Sequence, residues 1–147
     1  MSFAQPSLKG RALRLLSGRE YSRAELARKL QRFEEEPGTL ARALDELQAK
    51  GFIDEQRVIE SVLHRRAAKL GAARVRQELQ GKGLAPEAVD QAVAGLQATE
   101  SERALAVWRK KFDAPPENAL QAARQMRFLA ARGFGAEAIR RVVKAPA

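Results

Sequence analysis

Cysteine is absent from the 147-residue chain. Disulfides, thiol nucleophiles and cysteine-held zinc are therefore excluded, and the expected compartment is the reducing cytoplasm. The single histidine, His64, stands beside Arg65 and Arg66, which disfavour its charged form, and has no second histidine with which to hold a metal. It reads as a structural or surface residue. Aromatic residues are few, one Trp, one Tyr and six Phe, too sparse for a platform that stacks successive bases. Trp108 and Phe112 share a helical face with Leu105, so core packing is their expected role. Val, Ile and Thr together number thirteen, and no stretch alternates as a half-buried strand would. Neither a signal peptide over Met1 to Leu8 nor an apolar run of membrane-spanning length is visible, so no membrane is expected. Gly81-Lys82-Gly83 lacks the spacing and the preceding strand of a phosphate loop, and Ser17-Gly18 and Ser22 read as turn and cap rather than nucleophile. Glu34-Glu35-Glu36, just before Pro37-Gly38, is the one acidic cluster and reads as a solvated turn rather than a metal site. The expectation is a protein that is not an enzyme, with no cofactor and no metal.

What the chain has is positive charge and helix formers. Twenty-seven Lys and Arg against eighteen Asp and Glu leave +9, so a polyanionic surface is the natural partner. Residues 1–54 carry ten basic and eight acidic side chains, 55–99 seven and five, and 100–147 ten and five, which makes the last third the most basic. Any single arginine can still be no more than a solvated helix former. Ser22 with Glu25 and Thr99 with Glu102 have the spacing of capping boxes, and Asp54 precedes a first turn at Glu55. Pro37, Pro86 and Pro115 suit positions at or near helix starts. Lys50-Gly51-Phe52, Lys82-Gly83-Leu84 and Arg132-Gly133-Phe134 read as helix ends, with glycine left-handed and the next apolar residue folding back.

Laid over itself at shifts of 49 and then 50 residues, the chain repeats its apolar positions. Leu30 falls on Leu79 and Leu129, Leu40 on Val89 and Ile139, and Leu44 on Val93 and Val143. Leu26 falls on Val75, Leu47 on Leu96, and Pro37 on Pro86. Chance alignment of amphipathic helices is the plain alternative. The repeat predicts an all-α fold of three tandem three-helix modules in an elongated, curved, right-angle-packed array. The modules span 8–53, 54–98 and 99–147 after a disordered 1–7. Helices are predicted near 8–17, 22–33, 39–49, 55–70, 73–82, 86–97, 100–112, 117–132 and 136–144. The first helix of the third module matches better at a shift of 46, with Leu105 on Ile59 and Trp108 on Val62. Modules of this size fold by sharing apolar surface with their neighbours, and a row of them suits an extended, periodic partner.

The functional candidates are basic clusters. In the middle module these are Arg65, Arg66, Lys69, Arg74, Arg76 and Lys82; in the last they are Arg109, Lys110, Lys111, Arg124, Arg127, Arg132, Arg140 and Arg141. Such groups neutralise phosphates with strong salt dependence, or pair with acidic protein surface. No helix has the exposed Asn, Gln and Arg face of a sequence-reading element, so base-specific recognition is not expected.

Four segments together resemble one family. Ala12-Leu13-Arg14-Leu15-Leu16-Ser17-Gly18-Arg19-Glu20-Tyr21-Ser22-Arg23-Ala24-Glu25-Leu26 is similar to the opening module of RecX proteins, and Gly51-Phe52-Ile53-Asp54-Glu55-Gln56-Arg57 to their first junction. Gly71 followed by Arg74-Val75-Arg76-Gln77-Glu78-Leu79 and Lys82-Gly83-Leu84 continues the likeness, as does Arg127-Phe128-Leu129-Ala130-Ala131-Arg132-Gly133-Phe134. Two positions depart from it: Val58, where an aromatic is usual, and Ala72-Ala73, where Gly or Pro is common. A monomer is expected, and the resemblance implies a regulator that binds in the helical groove of the RecA–DNA filament, spanning subunits. It would inhibit filament growth, ATPase, strand exchange and the co-protease activity of the SOS response in DNA repair and recombination, with weak, non-specific contact to single- or double-stranded DNA. The alternatives are a non-specific DNA-binding protein that competes for DNA, and a helical adaptor with an acidic protein partner.

Overall fold

A computed structural model describes residues 5–144, and among these the regular structure is entirely helical. In chain order the helices are α1 (Leu8–Leu16), α2 (Arg23–Leu30) with a 3-10 turn (Gln31–Phe33), α3 (Thr39–Ala49), α4 (Glu55–Arg66), α5 (Ala72–Gly81), α6 (Pro86–Gln97), α7 (Glu100–Lys111), α8 (Ala119–Ala131) and α9 (Ala136–Val142). Residues 1–4 of the expected disordered segment lie outside the described residues. Ser7 is the N-cap of α1, its Oγ accepting the Gly10 N–H at 2.9 Å.

The caps show which local signals act. Ser22 and Glu25 form the reciprocal box, the Ser22 hydroxyl accepting the Glu25 N–H at 3.1 Å and the Glu25 carboxylate accepting the Ser22 N–H at 3.0 Å. Thr99 forms no such box. Its φ of −112° and ψ of 7° depart from the extended conformation of a capping residue, and its hydroxyl instead contacts the Leu96 carbonyl and accepts from Arg103. Glu34 is not a solvated turn residue, because its Oε2 accepts the Leu40 N–H at 2.8 Å in the first turn of α3. Gly51, Gly83 and Gly133 have φ of 82°, 68° and 87°, as the three helix ends require. Leu84 and Phe134 fold back and are buried, whereas Phe52 stays 47% exposed and Ile53 takes the buried place.

By packing, the chain forms two compact units. One runs to Ser61 and includes Lys82–Leu84; the other comprises Val62–Gly81 and the chain from Ala85 onward. In the first, Ala12, Tyr21, Leu26, Leu30, Leu40, Leu44, Leu47 and Ile53 form one apolar cluster. In the second, Ala104, Val107, Ala122, Leu129, Phe134, Ala138, Ile139, Val142 and Val143 form another. Every Leu, Val and Ile position matched by the shifts of 49 and 50 is buried. In α7 the buried apolar positions are Ala104 and Val107, which lie 45 residues after Ile59 and Val62 rather than 46. Leu105 and Trp108 are only partly buried at the edge of the cluster. Val58 and Ala72, the departures from the family pattern, are both buried within 2% of full.

Two places bring segments distant in sequence into direct contact. In the first unit the Ser22 hydroxyl donates to the Lys82 carbonyl at 2.6 Å, and a Cβ on Gly83 would lie 2.7 Å from the Ala24 Cβ. In the second, the Gly71 N–H donates to the Arg132 carbonyl at 2.8 Å and the Ala73 N–H to the Gly133 carbonyl at 3.2 Å. A Cβ on Gly71 would lie 2.3 Å from the Gly133 oxygen, so no larger residue fits there without moving backbone.

Candidate functional site

The basic residues named from the sequence divide by what they touch. Arg66 pairs with Glu78 at 3.2 Å and Arg76 with Asp90 at 2.7 Å. Arg74 donates to the Ala131 carbonyl at 2.7 Å, and its side chain lies where a Gly133 Cβ would be. It closes the end of α8 and is engaged in the fold. Lys82 is nearly buried and pairs with Glu25 at 3.2 Å. Burial pushes the Glu25 carboxyl up, but hydrogen bonds from the Ser22 N–H, Arg19 and Lys82 outweigh it and hold the group below the usual carboxylate value. Arg141 pairs with Glu137 one turn away at 2.8 Å, both largely exposed, which contributes little to stability.

The others have no carboxylate within ion-pair distance among the described residues. Arg65, Lys69, Arg109, Lys110, Lys111, Arg124, Arg127 and Arg140 are exposed, and Arg132 is half-buried. Four of these, Lys69, Lys110, Lys111 and Arg132, line one cavity of about 330 Å³ in the second unit with Ala68, Val107 and Phe128. The Arg132 guanidinium lies 3.8 Å from the Phe128 ring centroid and the Lys111 ammonium 5.8 Å from it. A ring holds a cation without neutralising it, so the charge remains available to an anionic partner.

Each of these groups is placed by a local feature. Arg132 is the last residue before left-handed Gly133, whose N–H donates to the Ala130 carbonyl while the Phe134 N–H reaches the Leu129 carbonyl. Lys110 and Lys111 end α7, where the helix dipole favours cations, and Asp113-Ala114-Pro115-Pro116 prevents the helix from continuing. Phe112 closes against Phe128 edge to face, at 5.3 Å and 83°. Lys69 sits in the turn after α4, which ends at Arg66 rather than near residue 70. Arg103 explains the early stop: its Nη1 donates to the Ala67 carbonyl at 2.8 Å and the Leu70 carbonyl at 2.7 Å. Burial lowers the Arg103 pKa, and the nearby Glu100 charge opposes that shift. Glu100 is itself buried and accepts the Ala72 N–H at 2.6 Å, capping α5 from within the second unit.

Arg124, Arg127 and Arg140 lie outside the Phe128 cavity, as do Arg65 and Arg109. His64 is exposed on α4, and no group of three or more potential metal ligands occurs among the described residues. No helix among them is long and apolar enough to cross a membrane. One cationic group was not singled out from the sequence: Arg11, Arg14, Lys29 and Arg32 around Phe33 in the first unit. Its signal was available. The offset that lays Leu30 on Leu129 also lays Lys29 and Phe33 on Phe128 and Arg132, a cation and a ring one turn apart with their order exchanged.

Models of the first, second and third three-helix domains of RecX match residues 9–47, 54–93 and 98–143. Regulatory protein RecX of Leptothrix cholodnii is 50% identical over 140 residues, 95% of this chain and 89% of the relative. That of Herbaspirillum seropedicae is 48% identical over 134 residues, 91% and 87% of the two chains. Among solved structures, RecX from Lactobacillus salivarius superposes with a TM-score of 0.76 at 18% identity, covering 93% of this chain and 92% of that one. Another, a regulatory protein RecX, gives 0.71 at 21%, covering 93% and 71%. With matching domain models in order along the chain and relatives of this identity over nearly its whole length, the chain belongs to the RecX family.

Proposed function

We propose that this chain regulates RecA by binding the RecA–DNA filament in its helical groove, spanning neighbouring subunits, and so inhibits filament growth, ATP hydrolysis, strand exchange and SOS co-protease activity. It acts by binding and catalyses no reaction. The protein works as a cytoplasmic monomer of three three-helix modules, and its direct contact with DNA is weak and non-specific. The name shared by the relatives, regulatory protein RecX, supports the regulatory part.

The observation that carries the reading is the set of cations left without carboxylates around Phe128: Lys69, Lys110, Lys111 and Arg132. Cations already paired have little left for a partner, whereas these keep their charge for acidic protein surface or phosphate. Exposed Arg124, Arg127, Arg140, Arg65 and Arg109 extend the cationic surface. Arg66, Arg74, Arg76, Lys82 and Arg141, engaged within the protein, contribute less. Several weak contacts carried on one chain gain strength by linkage, as filament binding requires.

The test is RecA ATPase on saturating single-stranded DNA, with this protein added well below the concentration of DNA sites. Inhibition at such sub-stoichiometric levels is expected. Inhibition only when DNA sites are covered would mean competition for DNA, and absence of any filament or DNA binding at low salt would leave a helical adaptor instead.

A further inference from the structure

The first unit contains a second cavity, of about 250 Å³, that differs from the Phe128 site in its floor. Pro6, Leu15, Leu30 and Phe33 provide an apolar base contributed by α1, the segment before it, the end of α2 and the 3-10 turn that follows. Around it stand Arg11, Arg14, Lys29 and Arg32, and none has a carboxylate within ion-pair distance among the described residues. The Arg11 guanidinium lies 3.7 Å and that of Arg32 4.7 Å from the Phe33 centroid, so the ring orients both. Arg14 and Lys29 are exposed.

We infer that this cavity is a docking site for an acidic peptide segment that inserts one apolar side chain between its carboxylates. Guanidinium groups held in place by a ring lose little freedom on pairing with a carboxylate. The apolar floor selects the class of partner. A phosphodiester backbone has nothing to place against leucine and proline, and Phe33 already carries two guanidiniums where a stacking base would lie. An acidic peptide with a leucine satisfies both rim and floor. This inference does not depend on the filament reading, since neither RecA nor DNA enters it.

The experiment is fluorescence anisotropy of a labelled Asp/Glu-rich peptide carrying one central leucine, titrated with the full chain at low salt. The same peptide with alanine for leucine and an oligothymidylate of equal charge serve as comparisons. The leucine peptide should bind at least about fivefold tighter than the alanine peptide, the effect of burying little more than one of its extra carbons. The double variant Arg14→Glu/Lys29→Glu should weaken it by about tenfold or more with the thermal midpoint unchanged. If that variant does not fold, Arg14→Gln/Lys29→Gln should still weaken binding in the same order. Equal affinity for the two peptides, absence of binding, or binding indifferent to these substitutions overturns the proposal. So does an oligothymidylate that displaces the peptide and loses affinity in the same variant, which would assign the cavity to nucleic acid.

Discussion

The same contact is made twice in this molecule with different chemistry. Residues 22–25 meet Lys82–Leu84 in the first unit, and residues 71–74 meet residues 132–134 in the second, the two pairs being offset by about one repeat. The first is held by side chains: the Ser22 hydroxyl on the Lys82 carbonyl and Lys82 on Glu25. The second is held by backbone, Gly71 and Ala73 donating to the carbonyls of Arg132 and Gly133, with Arg74 over the end of α8. The exchange has a functional consequence. Glu25 is matched in the second contact by Arg74, so Arg132, the counterpart of Lys82, has no carboxylate to pair with and turns to Phe128. One architecture thus spends its cation on the fold in one place and leaves it for a partner in the other.

The largest effect should come from the backbone contact. Gly71→Ala places a methyl group 2.3 Å from the Gly133 oxygen and should destabilise by about 3 kcal/mol or more, because main chain must move. Gly95→Ala, in α6 with nothing within 4 Å of the new carbon, should stabilise by about 0.5–1 kcal/mol. Urea denaturation of both variants checks the contrast, and a tolerated Gly71→Ala would contradict the backbone account.

The side-chain contact should yield smaller losses. Ser22→Ala removes the donor to Lys82 and the acceptor for Glu25, a loss of about 1–2 kcal/mol. Glu25→Gln should cost about 1 kcal/mol at neutral pH, where the charged carboxylate holds Ser22, Arg19 and Lys82. Because the folded state lowers this carboxyl's pKa, its contribution is present above the unfolded value and is lost as pH falls through the folded one. The stability gap between Glu25→Gln and the unaltered protein should therefore close in acid, as thermal denaturation across pH would reveal.

Much of this was legible in the sequence for physical reasons. Repeating apolar positions marked the core because helical burial has a period, and left-handed glycines marked helix ends because other residues avoid that conformation. The α7 register lies one residue from the apolar pattern because Leu105 and Trp108 look more like core than Ala104, which the crowded cluster prefers. Thr99 had the right spacing for a cap but not the backbone to use it, since only two residues separate α6 from α7. Among the basic residues, composition could not separate engaged from available cations. Arg74 and Arg132 look alike in sequence; one is bound to a carbonyl 57 residues away and the other rests on a ring.

That separation is the central claim, and one measurement tests it most directly. The variant Lys110→Glu/Lys111→Glu should keep its helical circular dichroism while its half-inhibitory concentration against RecA ATPase rises at least about tenfold, as expected for reversing partner-facing charges. Unchanged inhibition by that folded variant would contradict the assignment of the Phe128 cations to the filament.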